Sequence, residues 1–333
     1  MAHALTQRAD GFVEFAYLAS DGEAWHQLGQ PMPDNAPLDQ WVKYAGMDWR
    51  IQRGKVRFAV DAAGTLQEMP EQHVLFRSDT KMPLGIVSDK YKAVQPAQVL
   101  AFFKGVAELE GIDLTAAGTL FDGRRFWAVA KVGESSPVSS RDKIGGYLLL
   151  STSADGSLAT EARFTTVRVV CNNTLQMARS EGKAQVRLTH RSVFKPEEIH
   201  RQLGTLKVKE TFAQFQDAMV TLAEHKMSYS DADNFVLKLL AGGAQQIVEA
   251  AQCDEVRDTA GYRKIMALFQ GEQRGFSLPG VKGTAYGMLQ ATTEYADHHI
   301  RTRSADNRFA SAQWGAGADL KASAFEQLLQ MAR

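Results

Sequence analysis

The chain has 333 residues, with 38 Lys and Arg against 38 Asp and Glu and therefore no formal net charge. Apolar residues make up 44% and charged residues 23%, which is ordinary globular usage and excludes intrinsic disorder for most of the chain. The balanced charge excludes a wholly basic nucleic-acid coat but is compatible with a local basic face.

The number of cysteines and the length of the apolar runs indicate the cellular compartment of the protein. Cys171 and Cys253 are far apart in sequence, so we do not expect a secreted disulfide framework. The first ten residues lack the pattern of a signal peptide, and no stretch reaches the ~20 apolar residues that span a bilayer. We therefore expect a cytoplasmic protein without membrane contact.

Turn and strand signals dominate the first part of the chain. Proline at position 37 suits the first turn of a helix, and apolar residues repeat at helical spacing after Pro96. The predicted elements are a short helix at 37–42, strands at 56–60, 74–77 and 84–88, and a helix at 96–109.

The middle of the chain predicts an antiparallel sheet. Asp122-Gly123 favours a two-residue type I′ turn, which joins strands 115–121 and 124–132 into a hairpin. Further strands are predicted at 144–152 and 158–164. An apolar face then predicts a helix over about 169–180.

After Pro196 the pattern becomes helical. Helices are predicted at 197–206, 212–225, 231–240, 262–269, 284–301 and 320–332. Strands followed by helices favour an α+β fold with a central antiparallel sheet. We divide the chain into an α+β core at 1–195 and a helical C-terminal region at 196–333.

Charge on one predicted strand is the strongest functional signal. Side chains alternate between the faces of a strand, so Arg125, Trp127 and Lys131 share one face and Phe126 lies on the other. Two cations and a tryptophan on one face can bind phosphates and stack a base. The other interpretation is that Trp127 packs beneath a helix and the cations extend past its edges.

The following segment is basic. Residues 160–210 contain ten Lys and Arg and five acids, a net charge of +5 within a neutral protein. Cations mixed with short polar side chains are typical of phosphate contacts. The alternative is that this segment forms a solvent-exposed face whose positive charge is balanced by acidic residues of other segments. The candidate nucleic-acid contacts are Arg124, Arg125, Phe126, Trp127, Lys131, Arg163, Arg168, Asn172, Asn173, Arg187 and Arg191.

A second cluster points to another chemistry. Glu294, Asp297 and His298 lie together on a predicted helix, and Glu294 and His298 are one turn apart, so both can reach one metal ion. The simpler interpretation is a polar helix face with an internal pair.

Several short motifs resemble those of the phage/plasmid-like protein family, a domain of unknown function. They are Trp25-His26-Gln27-Leu28-Gly29, Arg77-Ser78-Asp79-Thr80, Asp122 to Trp127, Arg168 to Leu175 and Thr293 to His298. Gln290 stands where this family is expected to have asparagine. The resemblance implies carriage on prophages and plasmids. The strand order with a basic hairpin also resembles phage single-strand annealing recombinases, which is an analogy of fold.

These features lead to one hypothesis and two alternatives. We expect a non-enzymatic protein of a mobile element that binds single-stranded DNA and anneals it in homologous recombination. It needs no cofactor and assembles as a ring or filament of identical chains. The alternatives are a metal-dependent enzyme acting on nucleic acid or nucleotides through Glu294, Asp297 and His298, and an interaction module that inhibits a host protein.

Overall fold

The computed structural model describes residues 6–21, 29–135, 138, 141–168, 173–176, 185–188, 208–241 and 250–333. In these ranges the chain is an α+β protein, as predicted from the order of its elements. The strands form two sheets, and the helices are concentrated in the second half of the chain.

Eight strands form a large sheet and three form a small one. The strands are β1 (Phe15–Leu18), β2 (Gln30–Met32), β3 (Ile51–Ala59), β4 (Leu66–Arg77), β5 (Pro83–Ser88), β6 (Leu114–Leu120), β7 (Arg125–Ser135), β8 (Ile144–Ser153), β9 (Thr160–Arg168), β10 (Asn173–Gln176) and β11 (Gln185–Leu188). The large sheet has the order β10-β9-β8-β7-β6-β1-β2, with β11 also paired to β9, and the small sheet has the order β3-β4-β5. Neighbours are antiparallel except β1 and β2.

Two helices precede the middle of the sheet and the others follow it. They are α1 (Leu38–Tyr44), α2 (Pro96–Leu109), α3 (Val208–Glu224), α4 (Tyr229–Leu240), α5 (Ala250–Arg257), α6 (Ala260–Ala267), α7 (Ala285–Glu294), α8 (Ala305–Trp314) and α9 (Ala316–Ala332). Capping residues determine where several helices begin. Gln95 and Gln98 form a capping box around Pro96, and Ser228 and Asp231 form another at α4. α5 and α8 were not predicted.

The main core lies between one face of the large sheet and the helices. Phe126, Leu148 and Phe164 come from neighbouring strands, and all three are fully or almost fully buried. Phe164 contacts Phe212 and Phe215 of α3, at 6.0 and 6.2 Å between ring centroids. The helical region therefore packs directly on the sheet. The predicted boundary at residue 195 lies outside the described residues.

A buried ion cluster joins the small sheet to the large one. Arg77, at the end of β4, is 2% exposed, and its Nη2 lies 2.6 Å from the Oε1 of Glu14 and 2.8 Å from the Oδ2 of Asp79. Glu14 also accepts hydrogen bonds from Arg8 and Thr119. The guanidinium of Arg77 lies 4.3 Å above the ring of Trp49. Each buried charge thus has partners, which offsets the cost of its desolvation.

The hairpin turn between β6 and β7 is displaced from its predicted position. Leu120 pairs with Arg125, so the loop has four residues and not two. The oxygen of Leu120 accepts a hydrogen bond from the nitrogen of Gly123, and the residues with positive φ inside this turn are Phe121 and Asp122. Gly123 follows with φ +89°, where a Cβ atom would lie 2.5 Å from the ring of Trp49. The positive-φ pair of the turn therefore lies one residue earlier than predicted, and Gly123 packs closely against Trp49.

The helix predicted over 169–180 is wrong where the structure describes it. Residues 173–176 form β10, which pairs with Arg168–Thr165 of β9. Val167 and Thr174 pair in this ladder, and pairing with β9 overrides the local helical spacing. The rest of that segment and the predicted helix at 197–206 lie outside the described residues.

Two predicted helices end in π-helical turns. α6 continues as Leu268–Glu272 and α7 continues as Tyr295–His299. The helices predicted at 262–269 and 284–301 are therefore present at about those residues. Near its C-terminal end, each changes from an α-helical to a π-helical period. A π turn contains one more residue than an α turn and shifts the side chains that follow it.

The small sheet has an exposed apolar surface. Ten large hydrophobic residues are exposed in the described part of the chain, and six of them belong to residues 58–86. They are Phe58, Val60, Leu66, Met69, Met82 and Ile86. Leu75 and Val87, by contrast, are buried against the body of the molecule.

Candidate nucleic-acid interface on one sheet face

Strand register places the predicted cations of β7 on the face opposite the main core. Trp127 pairs with Gly118 and Ser151, and Lys131 pairs with Tyr147. Phe126, on the other face, is fully buried in the core. The predicted alternation along this strand is therefore correct. We call this surface the aromatic face and define it by Phe15, Tyr17, Arg125, Trp127, Lys131, Tyr147, Glu161 and Arg163.

Three aromatic side chains form a row on the aromatic face. The rings of Phe15 and Trp127 stack with centroids 5.6 Å apart, and those of Phe15 and Tyr17 stack at 5.8 Å. Phe15 and Trp127 are 4% and 8% exposed, whereas Tyr17 is half-buried. The row therefore ends at a ring that solvent reaches. Any base that stacks on the row does so at Tyr17, because the other rings are covered.

Arg125 lies beside this row between two further rings. Its guanidinium carbon is 5.1 Å from the ring centroid of Phe121 and 5.2 Å from that of Trp314. Desolvation by burial lowers the pKa of Arg125 from its ordinary value. Its Nη1 is buried and has no hydrogen-bond acceptor among the described residues. A buried N–H group without an acceptor is rare and points to a group that the bare chain does not supply.

Carboxylates neutralise the other cations of the aromatic face. The Nη2 of Arg163 lies 2.8 Å from the Oε1 of Glu161, and its Nη1 donates to the backbone oxygen of Gln313. The Nζ of Lys131 lies 3.4 Å from the Oε2 of Glu134. Arg163 is nearly buried by these contacts, but Lys131 keeps about a third of its side chain exposed. Lys131 is thus the more accessible of the two.

α8 covers one end of the aromatic face. Trp314 packs on Arg125, and Gln313 bonds to Arg163. Tyr17, Val129 and Lys131 lie toward the other end and are half-buried. The accessible half therefore runs from the tip of the aromatic row to Lys131.

Strand register places some of the remaining predicted contacts, and others lie outside the described residues. Arg124 lies in the hairpin loop and is exposed. Arg187 pairs in register with Glu161, a position on the aromatic face, whereas Arg168 and Asn173 pair with each other in the row of Ile144, on the other face. Asn172 and Arg191 lie outside the described residues. Phe126, buried in the core, offers no surface to a base in this fold.

Three important residues were missed by sequence reasoning. Phe15 and Tyr17 join the site through pairing of β1 with β6, about 100 residues later in the chain. The alternation of aromatic residues in Phe15-Ala16-Tyr17 was the available signal. Trp314 comes from a helix that was not predicted.

The acidic cluster on α7 and its π turn has protein partners. Asp297 is almost buried, and its Oδ1 lies 2.5 Å from the Nζ of the buried Lys321. Glu294 accepts a hydrogen bond from the backbone nitrogen of Arg274. The Nε2 of His299 lies 3.8 Å from the Oε1 of Glu294, and residues five apart lie on one side of a π turn. In the part of the chain that the structure describes, no three His, Cys, Asp or Glu side chains are grouped to hold a metal ion.

One family comparison accounts for most of the chain. The family model described as Domain of unknown function (DUF932) matches residues 83–314. The chain belongs to this family. The DUF932 match begins at the first residue of β5 and ends at Trp314, so it contains Arg125, Lys131 and Arg163 but not Phe15 or Tyr17.

No curated protein and no solved structure matches the chain. None of the helices in the described ranges is long and apolar enough to cross a lipid bilayer.

Proposed function

We propose that this DUF932 protein binds single-stranded DNA on the aromatic face and promotes annealing without a catalytic step. The observation that carries the proposal is Arg125, whose guanidinium lies between two rings with a buried N–H that lacks an acceptor. A phosphate oxygen is the group that satisfies such a donor, and it reaches Nη1 when Trp314 and α8 move away from Arg125.

Bases and phosphates use different residues of this surface. Tyr17 ends the aromatic row and offers a ring to the first base, and stacking of this kind tolerates any sequence. Lys131 lies six residues along β7 from Arg125 and therefore about 20 Å away. It exchanges its ion pair with Glu134 for a second phosphate. Arg163 positions the surface through Glu161 and is not a phosphate contact.

Annealing needs only that two strands be held with their charge screened. Base pairing supplies the driving force, so the proposal requires no cofactor. A setting on prophages and plasmids, a cytoplasmic location, a role in homologous recombination and assembly into a ring or filament belong to the same proposal. They rest on the motifs at Arg168 to Leu175 and Thr293 to His298 and on the analogy with annealing recombinases.

A fluorescence anisotropy titration with a labelled 20-nucleotide oligonucleotide tests the proposal. We expect binding at low salt that weakens as salt rises, with a slope near −0.7 for each phosphate contacted. Arg125→Gln should weaken binding about tenfold, since a hydrogen bond to a charged group contributes about 1.5–3 kcal/mol.

Matched controls separate binding from folding. Arg263→Gln removes one exposed arginine on α6, far from β7 in sequence, and should leave affinity unchanged. Circular dichroism and thermal melting establish that Arg125→Gln is folded, and Tyr17→Ala provides a second variant at a half-buried position. Absence of binding at low salt, or equal affinity of Arg125→Gln and Arg263→Gln, overturns the proposal.

A further inference from the structure

One side of the small sheet is open to solvent. Strand pairing aligns Gly54, Val74 and Ile86 in one row across β3, β4 and β5, and Ile86 is 61% exposed. Leu75, the next residue on β4, points the other way and is fully buried against the body of the molecule. We call the open side the outer face and define it by Gln52, Phe58, Gln72, Val74, Phe76 and Ile86.

The outer face runs the length of β3. The register with β4 shifts along it, because Lys55 pairs with His73 but Arg57 pairs with Glu68. A step of two residues on β3 thus corresponds to five on β4, so the extra residues belong to β4 and β3 keeps its two-residue period. Phe58, which is 47% exposed, therefore belongs to the outer face.

The outward positions of the paired rows carry no ionised side chain. The charged residues of these rows all occupy the opposite side, and they are Arg53, Lys55, Arg57, Glu68 and Arg77. Burial of the outer face therefore removes no charge from water, and the cores of protein interfaces are likewise depleted of charge. An acidic, basic or nucleic-acid partner finds no ion to pair with along this face.

Two opposite charges lie at the two ends of the outer face. Lys81, in the loop between β4 and β5, donates hydrogen bonds to the Oε1 of Gln52 at 3.4 Å and to the backbone oxygen of Ser78 at 2.7 Å. Asp61 follows β3 at the other end, and hydrogen bonds from Thr65 lower its pKa. Neither charge forms an ion pair within the part of the chain that the structure describes. The two ends are nine residues of β3 apart, which is about 30 Å.

We propose that a second copy of this chain covers the outer face, with the strands of the two copies antiparallel. Sheets that pack face to face keep their strand directions within about 30°. A two-fold axis then leaves two arrangements. Parallel strands place the two Lys81 side chains together, whereas antiparallel strands place Lys81 against Asp61 of the partner subunit. The amides of Gln52 and Gln72 both donate and accept hydrogen bonds, so they suit a surface identical to their own.

The size of the outer face limits the strength of this contact. Three strands about 4.8 Å apart and about 30 Å long give a footprint of roughly 400 Å². This is about half of the ~800 Å² that each partner buries in a standard interface, so we expect a weak dimer that forms at high protein concentration. The contact closes at two copies and needs no DNA, so it goes beyond the proposed function. A ring or filament needs a further, different contact.

Sedimentation velocity without DNA, from low micromolar to near-millimolar protein, tests the proposal. We expect a concentration-dependent shift from monomer to dimer. Ile86→Lys places a charge in the contact and should raise the dimer dissociation constant at least about tenfold. Leu109→Lys, at an exposed apolar position at the end of α2, is the matched control and should leave this constant unchanged. Both side chains are half exposed or more, so both variants should fold, which circular dichroism checks.

A charge exchange tests the antiparallel arrangement. Lys81→Glu places two acids at each end of the contact, and at low salt it should weaken the dimer about tenfold. Asp61→Lys should have the same effect through two cations. The double variant, Lys81→Glu with Asp61→Lys, restores opposite charges at each end and should bring the dissociation constant back to within about threefold of wild type.

Three outcomes of these measurements overturn the proposal. They are a wild-type protein that stays monomeric at every concentration, a dimer that Ile86→Lys leaves unchanged, and single charge variants whose losses add in the double variant. A monomer that binds neutral phosphatidylcholine vesicles through Ile86 also overturns it and assigns the outer face to a lipid surface. DNA has no part in these experiments, so each of these outcomes leaves DNA binding on the aromatic face standing.

Discussion

At the scale of single residues, the buried ion cluster fixes how the small sheet meets the large one. Arg77 contacts Glu14 from one strand region and Asp79 from its own loop, so one guanidinium joins segments 63 residues apart. Burial raises the pKa of Asp79, but hydrogen bonds from Arg77 and from its own loop outweigh this and lower it to about 2. Acid therefore weakens this junction.

The pH dependence of stability tests the junction. The folded pKa of Asp79 lies below its ordinary value of 3.8, so its stabilisation is complete above about pH 4 and is lost as pH falls toward 2. Asp79→Asn should lower the unfolding free energy at pH 5, and the difference from wild type should shrink by pH 2. Urea unfolding at each pH measures it. Asp217→Asn, exposed on α3, is the control, and a difference independent of pH contradicts the prediction.

Residue alternation on β7 was predictable, but its neighbours in space were not. The positions of Arg125, Trp127 and Lys131 follow from the two-residue period of a strand. The arrival of Tyr17 beside them depends on long-range pairing between β1 and β6, which no local pattern encodes. Neutralisation of Arg163 by Glu161 was open to prediction, since residues two apart on a strand share a face.

At the scale of elements, the π turn after α7 has an energetic consequence. It brings Asp297 to Lys321 of α9, and the two form a buried pair. Desolvation lowers the pKa of Lys321, while Asp297 opposes this. Removal of one partner leaves the other charge buried, whereas removal of both leaves an apolar contact.

Two variants distinguish these cases. Lys321→Met should lower the unfolding free energy by about 3–5 kcal/mol, because Asp297 then lacks its buried partner. Lys321→Met with Asp297→Leu should recover most of that loss. Urea unfolding of both variants and of Asp297→Leu alone gives the coupling energy. Losses in the double variant that equal the sum of the single ones would contradict the assignment.

Elements were predicted correctly where the spacing of the apolar residues agreed with a residue that starts or stops a helix. Pro96 and the apolar spacing after it predicted α2 with its observed bounds. The π turns were not predicted, because an inserted residue leaves the apolar pattern before it unchanged. The strand at 173–176 escaped because its apolar residues fit a helix as well, and only β9 as a partner decides between the two.

At the scale of the whole molecule, the helical half and the sheet share their largest buried cluster. Phe164 of β9 contacts α3, and Phe215 of α3 contacts Phe325 of α9 at 6.2 Å between centroids. A chain cut at the predicted boundary loses the cover that α3 and α9 give to one sheet face and keeps that of α2. Neither part then buries enough apolar surface to offset its conformational entropy.

Truncation tests this interdependence. A chain of residues 1–195 should lack a cooperative urea transition and near-ultraviolet circular dichroism, whereas the full chain should unfold in one transition. Addition of residues 196–333 as a separate chain should restore some structure if the two halves recognise each other. A cooperative transition of 1–195 alone would show that the sheet is independent of the helices.

The small sheet and its loops hold most of the exposed hydrophobic side chains of the described surface, and Phe58 and Leu66 place them on both faces at one end of the β3–β4 pair. Phe58, Leu66 and Ile86 are each about half exposed or more, while the rest of the described surface carries only scattered hydrophobic residues. A protein with one exposed hydrophobic patch adsorbs to an air–water interface through that patch. In a thin film of solution, we expect the molecules to adopt one preferred orientation at the air–water interface. We also expect the protein to bind a phenyl resin in the presence of ammonium sulfate.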